Sequence, residues 1–254
     1  MQLRDMPYFR AVLRAVECRF YQDYRLQGPV LDLGCGDGHF VTQAFDHPLD
    51  VGVDPWTGPV HEAEKRGGYL LTIQGYGDRL PFEDGHFNSA ISNSVLEHIP
   101  DVDSVVCEIG RVLKPGSMFL FCVPNQNFLS NLSVSNFLDR IRMHRLADAY
   151  RSFFNRISRH QHCDSPEVWQ VRLKTAGFRV EKWWHYFSPE ALHILEWGHY
   201  FGLPSWVIHA VFKRWLLVRS DWNLALTRSI VRRAYDEHPK QPKGSYTFYV
   251  AKKV

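Results

Sequence analysis

The sequence lacks most of the features that would place it in a membrane, outside the cell or on a polyanion. No run of about 18 apolar residues is present, so no transmembrane helix is predicted. The charged N-terminal stretch MQLRDMPYFR has no apolar region typical of a secretion signal. The five cysteines are scattered without a C-x-x-C pair, which favours reduced thiols. A net charge of +3 is too small to indicate a nucleic-acid partner. We therefore expect a cytoplasmic protein.

What the sequence does contain is a regular alternation of short apolar runs and helical patterns. The 254 residues are 45% hydrophobic, enough for one large domain with an apolar core. Helices are predicted at 8–25, 40–45 and 101–113, the last ending at Lys114-Pro115-Gly116. The short strands between and beyond them are predicted at 29–33, 51–54, 70–73, 89–92 and 118–123. This order predicts βαβ units and a parallel sheet.

The alternation fails after Asn125 and returns near the C-terminus. Residues 126–165 read as helical and arginine-rich. A helix at 166–177, a strand at 178–187 and a last strand at 246–251 follow. The sequence thus predicts a single domain over 1–254. Its core would comprise 28–125, 166–187 and 245–254, with helical insertions at 126–165 and 188–244.

The strongest local motif is a glycine loop, VLDLGCGDG, directly after the first strand. Gly34, Gly36 and Gly38 have no Cβ, so a ligand can approach the backbone closely. Asp54 follows 20 residues beyond Gly34, at the end of the next strand. A carboxylate at that position can accept hydrogen bonds from both hydroxyls of a ribose.

Two nucleotide cofactors compete for such a loop. A dinucleotide-binding G-x-G-x-x-G motif would need glycine where this chain has His39. Asp32 and Asp37 on either side of the loop would repel a pyrophosphate, whereas they attract the ammonium and sulfonium groups of S-adenosylmethionine (SAM). The residues therefore favour SAM over a nicotinamide cofactor.

Five stretches together resemble one known family. VLDLGCGDG, VGVD, LPFEDGHFN, SNSVLEHIPD and EIGRVLKPGSMFLFCVPN occur in the order and spacing of the class I SAM-dependent methyltransferase domain of the UbiE/type-11 kind. The resemblance covers residues 28–125. It implies an α/β Rossmann-like fold, with a mostly parallel seven-stranded sheet whose last strand is antiparallel, and SAM as the cofactor.

The resemblance also implies where the cofactor binds. The loop would hold the methionine moiety, Asp54 the ribose and residues 75–79 the adenine, and Asn93–Val95 would flank the cofactor after the fourth strand. The family's acidic residue before L-P-F is Tyr76 here, so either the Asp78 side chain or the backbone of Gly77 and Asp78 would replace it. The complete predicted set is Asp32, Gly34, Cys35, Gly36, Gly38, Asp54, Pro55, Tyr76, Gly77, Asp78, Asn93 and Ser94.

Histidines provide the candidate catalytic groups, since a base is needed only when the acceptor must lose a proton. His98 follows Glu97 in a segment resembling the metal-binding region of ubiquinone-pathway O-methyltransferases. Ser94 replaces a glutamate ligand of that region, so no metal is predicted. His162, in H-Q-H-C, is the second candidate. Zinc binding there would need further ligands that the sequence does not supply. Helix capping by Glu97-His98 and a purely structural loop around His162 are the alternatives.

The aromatic part of the second insertion permits three interpretations. Residues 183–218 could lie on a membrane surface, cover a hydrophobic substrate as a lid, or pack as a helical subdomain. The aromatic residues behind these alternatives are Trp183, Trp184, Tyr186, Phe187, Trp197, Tyr200, Phe201, Trp206, Phe212 and Trp215.

The function that these features favour is transfer of a methyl group from SAM to a small, hydrophobic or lipid-like acceptor, at oxygen or carbon. Nucleic acid is disfavoured as the acceptor because residues 92–95 read SNSV instead of an N-P-P-Y-like tetrapeptide. The alternative is a SAM-binding regulatory or interaction protein without transferase activity. A monomer or a homodimer is expected.

Overall fold

The computed structural model describes residues 8–201 and 232–254, and its described part is built around a seven-stranded sheet. The sheet order is β3-β2-β1-β4-β5-β7-β6. Strands β1 to β5 pair in parallel where they are neighbours, and β7 runs antiparallel to β5. The predicted fold class is therefore confirmed. The strands are β1 (Val30–Leu33), β2 (Leu49–Asp54), β3 (Tyr69–Gln74), β4 (Phe87–Asn93), β5 (Leu113–Pro124), β6 (Phe178–Tyr186) and β7 (Tyr246–Lys253).

Helices connect most strands where the sequence predicts them, and the helix between β2 and β3 is one that was not predicted. The helices are α1 (Tyr8–Gln22), α2 (Val41–Ala44), α3 (Thr57–Arg66), α4 (Val102–Val112), α5 (Ser133–Arg140), α6 (His144–Ser158), α7 (Pro166–Thr175) and α8 (Pro189–Phe201), with a 3-10 helix at Leu96–His98. Residues 232–236 are also helical. None of the helices in the described part of the chain has the length and apolar character needed to span a membrane.

Helix α4 shows why local pattern predicted these elements well. Its apolar residues recur at helical spacing, and Val105, Val106 and Ile109 are buried against the sheet. The Asp101 carboxylate accepts the Ser104 N–H and caps the first turn. One boundary differs from expectation, since Lys114-Pro115-Gly116 falls inside the range of β5. A register irregularity opposite, between Phe87 and Ser89, accommodates the early start of that strand.

The chain divides into two compact units. The sheet unit comprises residues 18–126, 159–184 and 246–254 and contains the main apolar core. The helical unit comprises, of the described residues, 8–17, 127–158, 185–201 and 232–245. The single-domain organisation with two insertions stays a prediction.

Inside the helical unit, a buried carboxylate joins three helices. Glu196 on α8 accepts hydrogen bonds from Ser133 N at 2.6 Å and Ser133 Oγ at 2.7 Å, and from Val134 N at 3.2 Å. The Tyr150 hydroxyl on α6 donates to the same carboxylate at 2.7 Å. No side chain of α5 itself caps that helix, so Glu196 takes the capping role for the first N–H groups.

Candidate cofactor site

The glycine loop turns sharply at the end of β1, inside the sheet unit. Gly34, Gly36 and Gly38 have φ angles of +78°, +54° and +73°, which favour glycine. The N–H groups of Gly34 and Cys35 both donate to the Val53 carbonyl, at 2.8 and 3.1 Å. The loop is therefore held against the end of β2.

The three glycines meet different surroundings. A Cβ on Gly34 would lie 2.4 Å from a Val95 methyl, and one on Gly38 would lie 3.0 Å from the Ala63 Cα. A Cβ on Gly36 would have no atom within 4 Å. Gly34 and Gly38 are thus required by packing within the protein, whereas Gly36 borders open space that a ligand can occupy.

Asp54 connects the end of β2 to this loop. Its side chain is 8% exposed, and its Oδ2 accepts the Gly36 N–H at 3.0 Å while Oδ1 accepts the Trp56 N–H at 3.0 Å. Each carboxylate oxygen can accept a second hydrogen bond, so the group is positioned for two hydroxyl donors. Pro55 beside it is held through its carbonyl, which accepts from Gln74 Nε2 at 3.2 Å.

A buried acidic group lies under the loop. Asp32 is 3% exposed and accepts the Tyr69 hydroxyl at 2.5 Å. Burial, followed by the charge of Asp32, raises the pKa of Tyr69 far above its usual value, so the phenol stays protonated and donates. Burial and the charges of Asp32 and Asp54 likewise raise the pKa of the Cys35 thiol. Cys35 is accordingly a neutral member of the loop and not a nucleophile.

The end of β4 supplies the next wall. Asn93 is buried, and its Oδ1 accepts the Cys122 thiol at 2.8 Å. Ser94 has a φ of +52°, and its N–H donates to the Cys122 carbonyl at 3.1 Å. The chain therefore turns abruptly after the strand and brings Val95 against Gly34.

The predicted adenine segment lies after β3. Tyr76 is 71% exposed and Asp78 is also exposed. Gly77 packs closely, since a Cβ there would lie 3.0 Å from Val105 and 3.2 Å from Leu33. All twelve predicted cofactor residues belong to the sheet unit, on β1 or at or just beyond the carboxyl ends of β1 to β4. Their assignment to cofactor binding stays a prediction.

His98 lies at the end of the 3-10 helix, with a side chain that is 42% exposed. Its Nδ1 is 3.0 Å from the Arg159 carbonyl, an acceptor, so the ring proton belongs on Nδ1. That tautomer makes Nε2 the basic atom of the ring. Nε2 lies 3.7 Å from the buried Glu97 carboxylate, which would stabilise a protonated imidazole.

His162 is held differently. Its Nε2 lies 3.0 Å from the Ile99 carbonyl and its Nδ1 lies 3.5 Å from the Asp164 carboxylate. The neighbouring Cys163 is half-buried, and desolvation, with the charge of Glu97, raises its pKa to about 12. His160 Nδ1 lies 3.6 Å from the Cys163 sulfur. Among the described residues, no group of three or more histidine, cysteine or acidic side chains could hold a metal ion.

Two residues at the site were missed by the sequence reasoning. Trp56, two residues after Asp54, is 70% exposed. Its position so close to the predicted ribose-binding carboxylate was the sequence feature that could have identified it. Tyr69 holds Asp32 from a strand that is not adjacent to β1 in the sheet, and no local pattern indicates that contact.

The fold and a sequence match indicate the class of protein. A sheet in the order 3-2-1-4-5-7-6 with an antiparallel β7 is the arrangement of Rossmann-like methyltransferases. Residues 31–121 match the family model described as a methyltransferase domain. Residues 31–121, about a third of the chain, therefore correspond to a methyltransferase domain.

Curated relatives match part of this chain. Sterol 4-C-methyltransferase strm-1 of Caenorhabditis elegans is 34% identical over 121 residues, which cover 42% of this chain and 35% of the relative. Botryococcene C-methyltransferase of Botryococcus braunii is 33% identical over 112 residues, covering 40% of this chain and 30% of that protein. The chain thus matches about a third of the length of these relatives.

Solved structures agree over most of the chain. A SAM-dependent methyltransferase from Mesorhizobium loti superposes with a TM-score of 0.59 at 15% identity, covering 95% of this chain and all of the other. Geranyl diphosphate C-methyltransferase from Streptomyces coelicolor gives 0.57 at 15% identity, covering 94% and 77%. At such identities the likeness establishes the fold.

Proposed function

We propose that this protein is a SAM-dependent methyltransferase acting on a small, hydrophobic or lipid-like acceptor. The observation that carries the proposal is the pairing of Gly36 with Asp54. Gly36 faces open space, while the Asp54 carboxylate, oriented by the Gly36 and Trp56 N–H groups, keeps acceptor capacity on both oxygens. A nucleoside with a free ribose diol fits this pair of features.

The remaining residues suit SAM better than a dinucleotide. Asp32 and Asp54 place two carboxylates at the glycine loop, where a pyrophosphate would be repelled and a cationic methionine group attracted. The exposed Trp56 and Tyr76 rings supply apolar surface for a base beside the ribose. When bound, SAM supplies a methyl group activated by a positively charged sulfur.

The chain's own contribution is then mainly orientation, because an activated methyl group needs only an aligned acceptor. We assign His98 as the group that removes a proton from the acceptor. Its Nδ1 hydrogen donates to the Arg159 carbonyl, so Nε2 accepts the proton, and Glu97 stabilises the resulting charge. Both ring nitrogens of His162 lie near backbone or carboxylate oxygens. We therefore assign His162 the structural role of holding its own loop in place.

A lipid-like acceptor is supported by the relatives named above as sterol and botryococcene C-methyltransferases. Methylation at carbon or oxygen accords with that chemistry. Membrane contact through residues 183–218 remains a proposal. Of that segment Trp183 and Trp197 are 40% and 44% exposed, and residues 202–218, with Trp206, Phe212 and Trp215, lie outside the described residues. We also propose that the protein is a monomer or a homodimer, and analytical sedimentation distinguishes the two.

The test has two stages, binding and turnover. Calorimetric titration with SAM, S-adenosylhomocysteine and NAD should give binding of the first two and none of NAD. Release of S-adenosylhomocysteine is then measured with a panel of sterol, isoprenoid and quinol acceptors. Binding without turnover on any acceptor would favour the SAM-binding regulatory protein. Binding of NAD alone would refute the proposal.

A matched pair of variants tests the site itself. Asp54→Asn removes the charge and half of the acceptor capacity, so we expect SAM affinity to fall about 10- to 100-fold. Asp50→Asn is the control, because Asp50 lies on the same strand at its other end and also accepts a backbone N–H, from Val30 at 2.7 Å. It should cost stability and leave the affinity unchanged. Equal loss in both variants would contradict the placement of the ribose.

A further inference from the structure

Helices α5 and α6 and the turn between them expose six large apolar side chains. Each is between 40% and 61% exposed. We call these six residues, together with Arg140, Arg142, Arg145 and Arg156, the α5–α6 face. The apolar members are Phe137, Ile141, Met143, Leu146, Phe153 and Ile157.

On α6 the exposed apolar residues form one stripe. Leu146, Phe153 and Ile157 recur with Tyr150 at spacings of four, three and four residues, so they share one side of the helix. The residues that α6 buries, Ala147 and Phe154, lie next to this stripe and pack inside the helical unit. The helix therefore has more apolar surface than its own packing uses.

Four exposed arginines lie on α5, on α6 and in the turn between them. The exposed side chains of Arg140, Arg142, Arg145 and Arg156 form no ion pair within the part of the chain that the structure describes. The segment's two carboxylates, Asp139 and Asp148, are both bound by Arg151, and His144 also contacts Asp139. Four positive charges thus remain uncompensated on this face.

Their positions match those of a helix lying in a bilayer interface. Arg145 and Arg156 immediately precede Leu146 and Ile157, and one residue corresponds to about 100° around a helix. Both cations therefore lie along the same edge of the apolar stripe. Helices that bury one face among acyl chains likewise place basic groups beside that face, at anionic headgroups.

Two aromatic side chains with polar tips continue the pattern. Trp197 is 44% exposed and its Nε1 donates to Ser133 Oγ at 3.0 Å, at the start of α5. The Tyr200 hydroxyl donates to Tyr150 on α6 at 2.9 Å. Such rings are enriched where apolar and aqueous phases meet.

The face is held in place before any partner binds. Glu196 accepts from the first N–H groups of α5 and from the Tyr150 hydroxyl of α6, which ties both helices to α8. Little conformational entropy is then lost on binding, so less of the binding free energy is spent on ordering the two helices.

We propose that the α5–α6 face binds the surface of an anionic lipid bilayer. A nucleic acid would neutralise the arginines but would leave Phe153 and Ile157 in water, whereas a bilayer accommodates both the cations and the apolar side chains. None of its residues belongs to the predicted cofactor set, so the inference does not depend on the proposed methyl transfer.

Vesicle co-sedimentation of the full chain tests the inference. We expect binding to vesicles of phosphatidylcholine with phosphatidylglycerol, and weak binding to phosphatidylcholine alone. Arg145→Gln combined with Arg156→Gln should weaken binding to the anionic vesicles roughly 30-fold. Phe153→Ser combined with Ile157→Ser should weaken it about tenfold or more.

The control is Val168→Ser combined with Val171→Ser on α7, where two valines are 45% and 67% exposed. Those positions have no uncompensated arginine beside them, since Arg172 pairs with Asp103 and Asp164. The control should bind vesicles as the parent does. Circular dichroism and thermal unfolding verify that each variant is folded. The arginine variant removes no ion pair of the described residues. It therefore keeps the test valid if the apolar variant is destabilised.

Three results would overturn the inference. Equal binding to both vesicle types would remove the role of the arginines. Loss of binding only in the arginine variant would indicate a polyanion such as nucleic acid. A dimer in analytical sedimentation that dissociates in the Phe153→Ser, Ile157→Ser variant would identify the face as a contact between two copies of the chain.

Discussion

Alanine substitutions at Gly34 and Gly36 separate the two tasks of the glycine loop. Both residues have a positive φ, +78° and +54°, so an alanine costs about 1 kcal/mol in backbone strain at either position. At Gly34 the new methyl group would also lie 2.4 and 2.5 Å from the two methyl groups of Val95. Overpacking of that kind costs about 1–3 kcal/mol. Gly34→Ala should therefore destabilise the protein by about 2–4 kcal/mol and Gly36→Ala by about 1 kcal/mol.

Gly36→Ala, which should cost little stability, should be the variant that loses cofactor affinity. The Gly36 methyl group meets no protein atom within 4 Å and projects into the space assigned to SAM, so affinity should fall about 10- to 100-fold in a protein that remains folded. Urea unfolding gives the stabilities, and calorimetric titration with S-adenosylhomocysteine gives the affinities. Adding Val95→Ala to Gly34→Ala should recover part of the lost stability.

Either of two results would refute this reasoning. Unchanged affinity in Gly36→Ala would mean that the open space beside the loop is not occupied by the cofactor. Equal unfolding midpoints for Gly34→Ala and Gly36→Ala would mean that the turn after β4 does not press against the glycine loop.

Three further predictions concern buried titratable groups. Glu196→Gln replaces an acceptor by an amide donor facing Ser133 or Tyr150, and should cost about 2–3 kcal/mol in urea unfolding. Burial lowers the pKa of His199 below 6.5, so the neutral imidazole contributes stability above pH 6.5. That stability is lost as the pH falls through the lowered pKa. His199→Gln should therefore make the free energy of unfolding less sensitive to acid, as measured by unfolding across pH. Burial, with Glu97, raises the pKa of Cys163 to about 12, so iodoacetamide at neutral pH should alkylate exposed Cys107 first, as read by peptide mass mapping.

Each of these has a contrary outcome. An unchanged unfolding midpoint in Glu196→Gln would show that the carboxylate does not cap α5. Retention of the full acid sensitivity in His199→Gln would assign it to other groups. Alkylation of Cys163 as fast as that of Cys107 would show that its thiol is neither buried nor protonated.

Local sequence was sufficient to predict most strands and helices and a parallel sheet, whereas the antiparallel last strand was implied only by the family resemblance. Short apolar runs at Val30–Leu33 and Leu49–Asp54, with a glycine loop and a helical stretch between them, predict a βαβ unit, whose two strands run parallel. The apolar spacing and the Asp101 cap likewise identify α4 from its own residues. Such features depend on neighbours within a few positions, which the sequence displays directly. The start of β5 was placed too late, since its pairing with Phe87 is not a local property.

Tertiary structure alone decided what each site residue does. Val95, some 60 residues from Gly34, makes that glycine a packing residue, whereas a Cβ on Gly36 would meet no atom within 4 Å. Arg159 determines which nitrogen of His98 is basic, and Glu196 caps a helix that begins 63 positions earlier. Hydrogen bonds and close contacts form between segments that meet only after the chain has folded. A residue's partners therefore depend on the complete packing arrangement, whereas its place in a strand or helix is largely set by the residues beside it.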